Sequence, residues 1–295
     1  MAHPPSTPLT RLASSADPGD SQSILSILCI HVKIQGEDTA LPELTAVTFD
    51  LWQTLLIDNR ELGLRRGEAR LESVRRILAD CGERFDADRI SEAYWDCYRQ
   101  CVAIREALLD VSFDEQVGIF IRNIGPGLDE RLQPDTLAEI ARVYADSFLD
   151  YAPPAHDDAV KVLQSVRDMG LRIGLISNTG MTPGTTFRTY LANTGMLDYF
   201  DTLTFSDEVK LSKPAEEIFL MTLRSLEAEP RRTVHVGDSI RNDVAGARKC
   251  GLKTVWITGF SEREDPSDPD TEPDETVDGL GAVVPAIERL CRRSP

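Results

Sequence analysis

The sequence predicts an α/β fold: a parallel sheet core with an α-helical domain inserted after its first strand. Three observations predict it. From Asp157 onward, amphipathic helices and short apolar runs alternate four times, the pattern of parallel strands joined by crossover helices. Thr45–Phe49 is a further apolar, β-branched run, as expected of a strand covered on both faces. Between Asp58 and Asp150 the apolar period is helical, and no convincing strand interrupts it. Together they describe a Rossmann-like core over residues 43–57 and 152–295, with a helical domain over 58–151.

The elements follow in order. Residues 1–42 form an N-terminal tail, and its first twenty, rich in Pro, Ser and Ala, are expected to be disordered. Ile24–Ile34 is apolar but too short to cross a membrane. The strand at Thr45–Phe49 ends in Asp50. Helical spacing follows over 67–82, with Leu71, Val74, Ile77 and Leu78 on one face and Gly82 as the stop. Further helices are predicted over 86–110, 113–125 and 136–150. Pro153 and Pro154 break the pattern. Strands are then expected at 172–178, 202–206, 233–238 and 253–257. Their helices lie at 157–170, 184–195, 215–226 and 242–251, and a last one at 283–293. Ser261–Thr271, acidic and Pro-rich, is expected to be a loop.

Composition excludes some partners. A net charge of −17 repels nucleic-acid backbones and anionic membranes, so neither is expected to bind. The six cysteines are scattered through a chain long enough to bury a core without staples. They point to reduced thiols and a cytoplasmic location. Cys97 and Cys101, four residues apart on a helix, are expected to be core residues. Arg65, Arg66 and Arg70 are expected on a solvated helix face. Nothing in the sequence separates a monomer from a homodimer.

The chemistry gathers where strands end. Asp50 closes the first strand, with Trp52 and Thr54 just beyond it. Ser177 and Asn178 close the second, Lys213 lies after the third, and Asp238 closes the fourth, with Asp243 five residues on. An open α/β sheet binds its ligands at the carboxyl ends of its strands. Three acids meeting there would repel one another unless a hard divalent cation joined them, and Mg²⁺ suits carboxylates, water and phosphate. Ser177 and Lys213 would hold an anion. Such a set positions and neutralises a phosphoryl group.

The order Asp50…Thr54, Ser177-Asn178, Lys213-Pro214, Gly237-Asp238…Asp243 resembles the four motifs of the haloacid dehalogenase superfamily, and the helical insert is similar to its cap. The resemblance implies a hydrolase, most simply a phosphatase for a small phosphorylated metabolite. Asp50 would be the nucleophile, forming an aspartyl-phosphate. Ser177, Asn178 and Lys213 would hold the transferred group, and Thr54 would orient the first loop. Asp50, Asp238 and the backbone carbonyl of Trp52 would bind Mg²⁺, with Asp243 assisting directly or through water.

Trp52 departs from the phosphatase pattern, in which that position usually carries a second aspartate that moves protons. An indole N–H donates but does not titrate. Two alternatives therefore stand beside the phosphatase: a 2-haloacid dehalogenase-like hydrolase, whose halide leaves unprotonated, and a weakly active or inactive relative that serves in binding. If Trp52 merely displaces the acid, Trp52→Asp should restore proton transfer; if it packs against the cap or the substrate, the same change should weaken binding or stability.

Overall fold

The computed structural model describes residues 44–259 and 271–292. The expected N-terminal tail and nearly all of the acidic loop lie outside the described residues. Strand β1 (Ala46–Phe49) leads into helices α1 (Arg60–Asp80), α2 (Ala87–Glu106), α3 (Phe113–Ile124), α4 (Leu128–Arg131) and α5 (Pro134–Asp150). The chain returns through α6 (Ala159–Asp168), β2 (Arg172–Ser177), α7 (Gly184–Asn193), β3 (Thr202–Phe205), α8 (Ser206–Val209) and α9 (Glu216–Ser225). It closes with β4 (Thr233–Gly237), a π-helical turn at Ile240–Ala245 running into α10 (Gly246–Lys249), β5 (Lys253–Ile257), β6 (Glu275–Val277) and α11 (Val283–Arg292).

The sheet order is β3-β2-β1-β4-β5-β6, with every pairing parallel. β1 therefore sits centrally, and Phe49 is in register with Leu175 of β2 and Val236 of β4. The chain moves outward to one side after β1 and to the other after β3. That reversal leaves a crevice at the carboxyl edge between β1 and β4. Val47, Phe49, Leu175 and Val236 pack on one face against α6, α7 and α11, while Ile176, Ile218, Phe219 and Leu252 pack on the other.

Helices α1–α5 carry their own hydrophobic core, built from Val74, Leu78, Ile90, Phe120, Ile140, Tyr144 and their neighbours. They form the inserted helical cap. Cys97 and Cys101 are buried in that core, as expected, with Cys97 Sγ donating to Gln116 O at 3.3 Å.

The structure corrects three expectations. Helix α1 starts at Arg60 and not Gly67, because Asn59 caps it, its side chain accepting from Leu62 N. Arg66 and Arg70 are buried, not solvated, whereas Arg65 is exposed beside Glu61. Arg66 pairs with Asp58 and donates to Tyr151 O. Arg70 donates to Tyr144 O at 3.0 Å and lies over the Tyr144 ring, 4.0 Å from its centroid. Both face α5, whose carbonyls and rings replace the water they lose. Finally, α4, α8 and β6 were not expected. Each spans four residues or fewer, too short to show a period.

Candidate active site

Asp50 is the first residue beyond β1. Its amide donates to Val236 O at 2.9 Å, which carries the β1–β4 ladder one step further and sets its carboxylate in the crevice. Lys213 reaches the same point from the loop after α8. Its Nζ lies 2.5 Å from Asp50 Oδ1 and 2.6 Å from Asp243 Oδ1. All three side chains are buried. The ammonium is thus shared between two carboxylates that are far apart in sequence.

Asn178 accounts for where Lys213 stands. Its Oδ1 accepts from Lys213 N at 2.8 Å and its Nδ2 donates to Lys213 O at 3.1 Å. Both ends of the amide are engaged with one backbone unit, which makes Asn178 a holder of Lys213. Ser177, at the end of β2, is fully buried, its hydroxyl 3.5 Å from Asn178 O.

Asp243 is gripped from three sides. Beside Lys213, it accepts from Ser239 N at 3.0 Å and faces His235 Nε2 at 3.1 Å. His235 is fully buried in β4, with Nδ1 2.8 Å from the Thr48 hydroxyl. Sequence reasoning missed His235. The signal available was a lone imidazole in a strand covered on both faces, where it needs a partner.

The electrostatics follow from burial and pairing. Burial pushes Asp50 up to about 6, although Lys213 pulls the other way. Burial acts on Asp243 too, but Lys213 and His235 outweigh it and hold that carboxyl well below the usual range. Burial works to lower Lys213; the pull of Asp243 and Asp50 prevails and raises it, so it stays charged. Burial lowers His235, although Asp243 pulls the other way; its Nε2 faces Asp243 and its Nδ1 faces the Thr48 hydroxyl.

Asp238 follows β4 at the crevice and is half-buried; its carbonyl accepts from Trp256 Nε1 at 2.8 Å. One carboxylate oxygen from each of Asp50, Asp238 and Asp243 lies within 4.8 Å of the other two. Three carboxylates gathered in so confined a space repel one another. A hard oxygen set of this kind fits a small divalent cation. Asp243 in that set already serves Lys213, His235 and Ser239.

The first loop differs most from expectation. The Thr54 hydroxyl is buried without a hydrogen-bond partner, so it ties down nothing in the loop. Gln53 does that work, a role the sequence did not reveal. It adopts a left-handed backbone (φ 53°), and its side chain donates to Asp58 O at 3.1 Å and accepts from Asp58 N at 2.9 Å. Trp52 Nε1 donates to Asn178 O at 3.1 Å. Its ring meets Phe148 of α5 and Phe187 of α7 edge-on, with centroids 5.8 and 5.4 Å away. The indole is thus a wedge where cap meets core.

A cavity of about 230 Å³ opens beside Lys213, lined also by Val102, Arg105, Glu106, Asn178 and Arg241. A larger one of about 720 Å³ lies between α1 and α2, walled by Leu64, Trp95 and Tyr98. Its lining includes none of the three aspartates.

A parallel sheet that gathers carboxylates and a lysine at its switch point, under a helical cap, defines a capped α/β protein with a carboxylate-centred site. The chain belongs to the haloacid dehalogenase-like hydrolases, whose family model matches residues 44–251. It is 27% identical over 163 residues to a glyceraldehyde 3-phosphate phosphatase of Methanopyrus kandleri, covering 54% of this chain and 67% of that one. It is 30% identical over 150 residues to a phosphoserine phosphatase of Thermus thermophilus, covering 51% and 57%. The match therefore spans little more than half the length of that second relative. Among solved structures, a HAD phosphatase of Thermococcus onnurineus superposes with a TM-score of 0.56 at 24% identity, covering 83% of this chain and 98% of that one. A 2-haloacid dehalogenase of Pseudomonas syringae gives 0.61 at 19%, covering 84% and 99%. These two likenesses concern the fold. Among the described residues, no helix is long and apolar enough to cross a membrane.

Proposed function

We propose that this hydrolase is a Mg²⁺-dependent phosphatase acting on a small phosphorylated metabolite through an aspartyl-phosphate on Asp50. One observation carries the reading: Lys213 bridges Asp50 and Asp243 while Asp238 completes a carboxylate triad around the same point. The phosphatase names of the relatives support it.

Mg²⁺ held by Asp50, Asp238 and the Trp52 carbonyl, with Asp243 reaching it directly or through water, would supply neutralising charge for the phosphoryl oxygens. Asp50 attacks phosphorus; the Asp50 O–P bond forms as the ester P–O bond breaks. Ser177 and Lys213 hold the phosphoryl oxygens, and Lys213 keeps the charge on Asp50 and its adduct balanced. Water then attacks the acyl phosphate and releases Asp50. Trp52 has no titrating proton and is turned into the aromatic wedge, so the leaving oxygen takes its proton from solvent. Substrates with good leaving groups should therefore react faster. The same feature favours a dehalogenase-like second reading, since a halide needs no proton.

A panel of phosphate esters and 2-haloacids, assayed with and without Mg²⁺, tests both. Mg²⁺-dependent phosphate release supports the phosphatase. Metal-independent halide release with no phosphate release overturns it.

A further inference from the structure

Besides its two chain connections, the cap is fastened to the core through Asp110, four residues after α2. This carboxylate is buried. Oδ1 accepts from Val111 N at 2.8 Å and stands 3.0 Å from Arg105 Nε. Oδ2 accepts from the hydroxyl of Ser206, at the start of α8, at 2.6 Å. Ser206 Oγ in turn accepts from Thr179 N at 2.9 Å.

The backbones alongside are stitched together. Asp110 N donates to Lys210 O at 3.0 Å, and Ser212 N donates to Leu108 O at 3.2 Å. Ser212 Oγ donates to Arg105 O at 3.1 Å. Arg105 donates from Nη2 to Gly180 O at 2.6 Å. Leu108 and Lys210 both adopt left-handed backbones (φ 64° and 58°), so neither strip continues as regular structure. The cap thus grips two core loops. One starts at Asn178 and passes through Thr179 and Gly180; the other passes through Lys210 and Ser212 into Lys213.

We propose that Asp110 is a positioning residue: it clamps the cap onto the loops that present Asn178 and Lys213, so that their register is set by the cap as well as by the sheet. A buried carboxylate is a costly way to hold two domains together when apolar contact would serve. What it adds is fixed geometry at several donors at once. The catalytic sense of the clamp rests on the phosphatase reading; the clamp itself does not.

Residue-resolved amide exchange on Asp110→Asn tests it without any substrate. Exchange at Thr179 and Ser212 should accelerate roughly 10- to 100-fold, while amides of β1 and β4 keep their protection. Unchanged exchange at both amides, or acceleration that is uniform across β1 and β4, would overturn the proposal. If Asp110→Asn does not fold, Ser206→Ala is read at Ser212 alone, because that change also removes the acceptor of Thr179 N. With p-nitrophenyl phosphate and Mg²⁺, the variant should lose kcat in step with the loosened loops while KM stays within about twofold. A loosened loop with unchanged kcat counts against positioning. A wild type inactive on every ester defeats the phosphatase reading, and the exchange pattern still decides the clamp.

Discussion

Asp243 folds back across Gly237 so closely that a Cβ at residue 237 would stand 2.3 Å from Asp243 Cγ. No side chain tolerates that contact. Residue 237 must therefore be glycine for Asp243 to reach Lys213, and the reason is space, since its φ is not left-handed. Gly237→Ala should push Asp243 out of the bridge while leaving the sheet in place. A hydrolytic rate reduced at least about 100-fold in a folded variant is expected, from the loss of buried charge-assisted bonds of about 1.5–3 kcal/mol each. Near-normal turnover would show that Asp243 need not sit where it does.

Asp238 is the one half-buried carboxylate of the triad. If the triad binds Mg²⁺, the ion should stabilise the fold, as any native-state ligand does, by about 2.7 kcal/mol at a hundredfold excess over Kd, and raise the melting temperature accordingly. Asp238→Asn should remove most of that gain. Calorimetry with Mg²⁺ on both proteins is the check, and no heat of binding in the wild type would count against a metal-dependent reaction.

For Trp52→Asp the packing of the indole favours the second of the two expectations, a loss of stability. The change would remove the indole bond to Asn178 O and the edge contacts with Phe148 and Phe187, leaving a carboxylate against two rings. A loss of about 2–4 kcal/mol is expected, seen as a melting temperature lower by roughly 2–4 °C per kcal/mol. Trp52→Phe keeps a ring and loses the hydrogen bond, costing about 1 kcal/mol. Equal melting temperatures for all three proteins would show that the wedge is idle.

Asp207, in α8 and buried against the N-terminus of α7, accepts from Gly184 N at 3.2 Å, and burial pushes its pKa up to about 6 from 3.8. The folded state therefore holds this proton more tightly than the unfolded chain does. Between about pH 4 and pH 6 the unfolded chain ionises first, so stability contributed here is present at low pH and lost as pH rises through that window. Asp207→Asn keeps an acceptor for Gly184 N and has no proton to lose. Relative to wild type it should gain on the order of 1–2 kcal/mol between pH 4 and pH 7. Parallel denaturation curves across that range would refute the shift.

The sequence by itself determined the parallel sheet, the helical insert and the strand ends that carry Asp50, Ser177, Asp238 and the nearby Lys213 and Asp243. Alternation and period are local, and the carboxyl end of a strand is a local property as well. Which side chains then touch is decided by packing across large separations. Only the tertiary structure shows Lys213 shared between Asp50, 163 positions away, and Asp243, 30 positions away. It turns Asn178 toward the Lys213 backbone, sets His235 behind Asp243, and gives the loop clamp to Gln53 and not Thr54. It buries Arg66 and Arg70 because α5 covers a helix face that looks solvated when α1 is read alone. Trp52 shows the division most clearly. Its chemistry, a donor that cannot titrate, is fixed by residue type; its place as a wedge between Phe148 and Phe187 exists only once cap and core have met, because neither ring is near it in the chain.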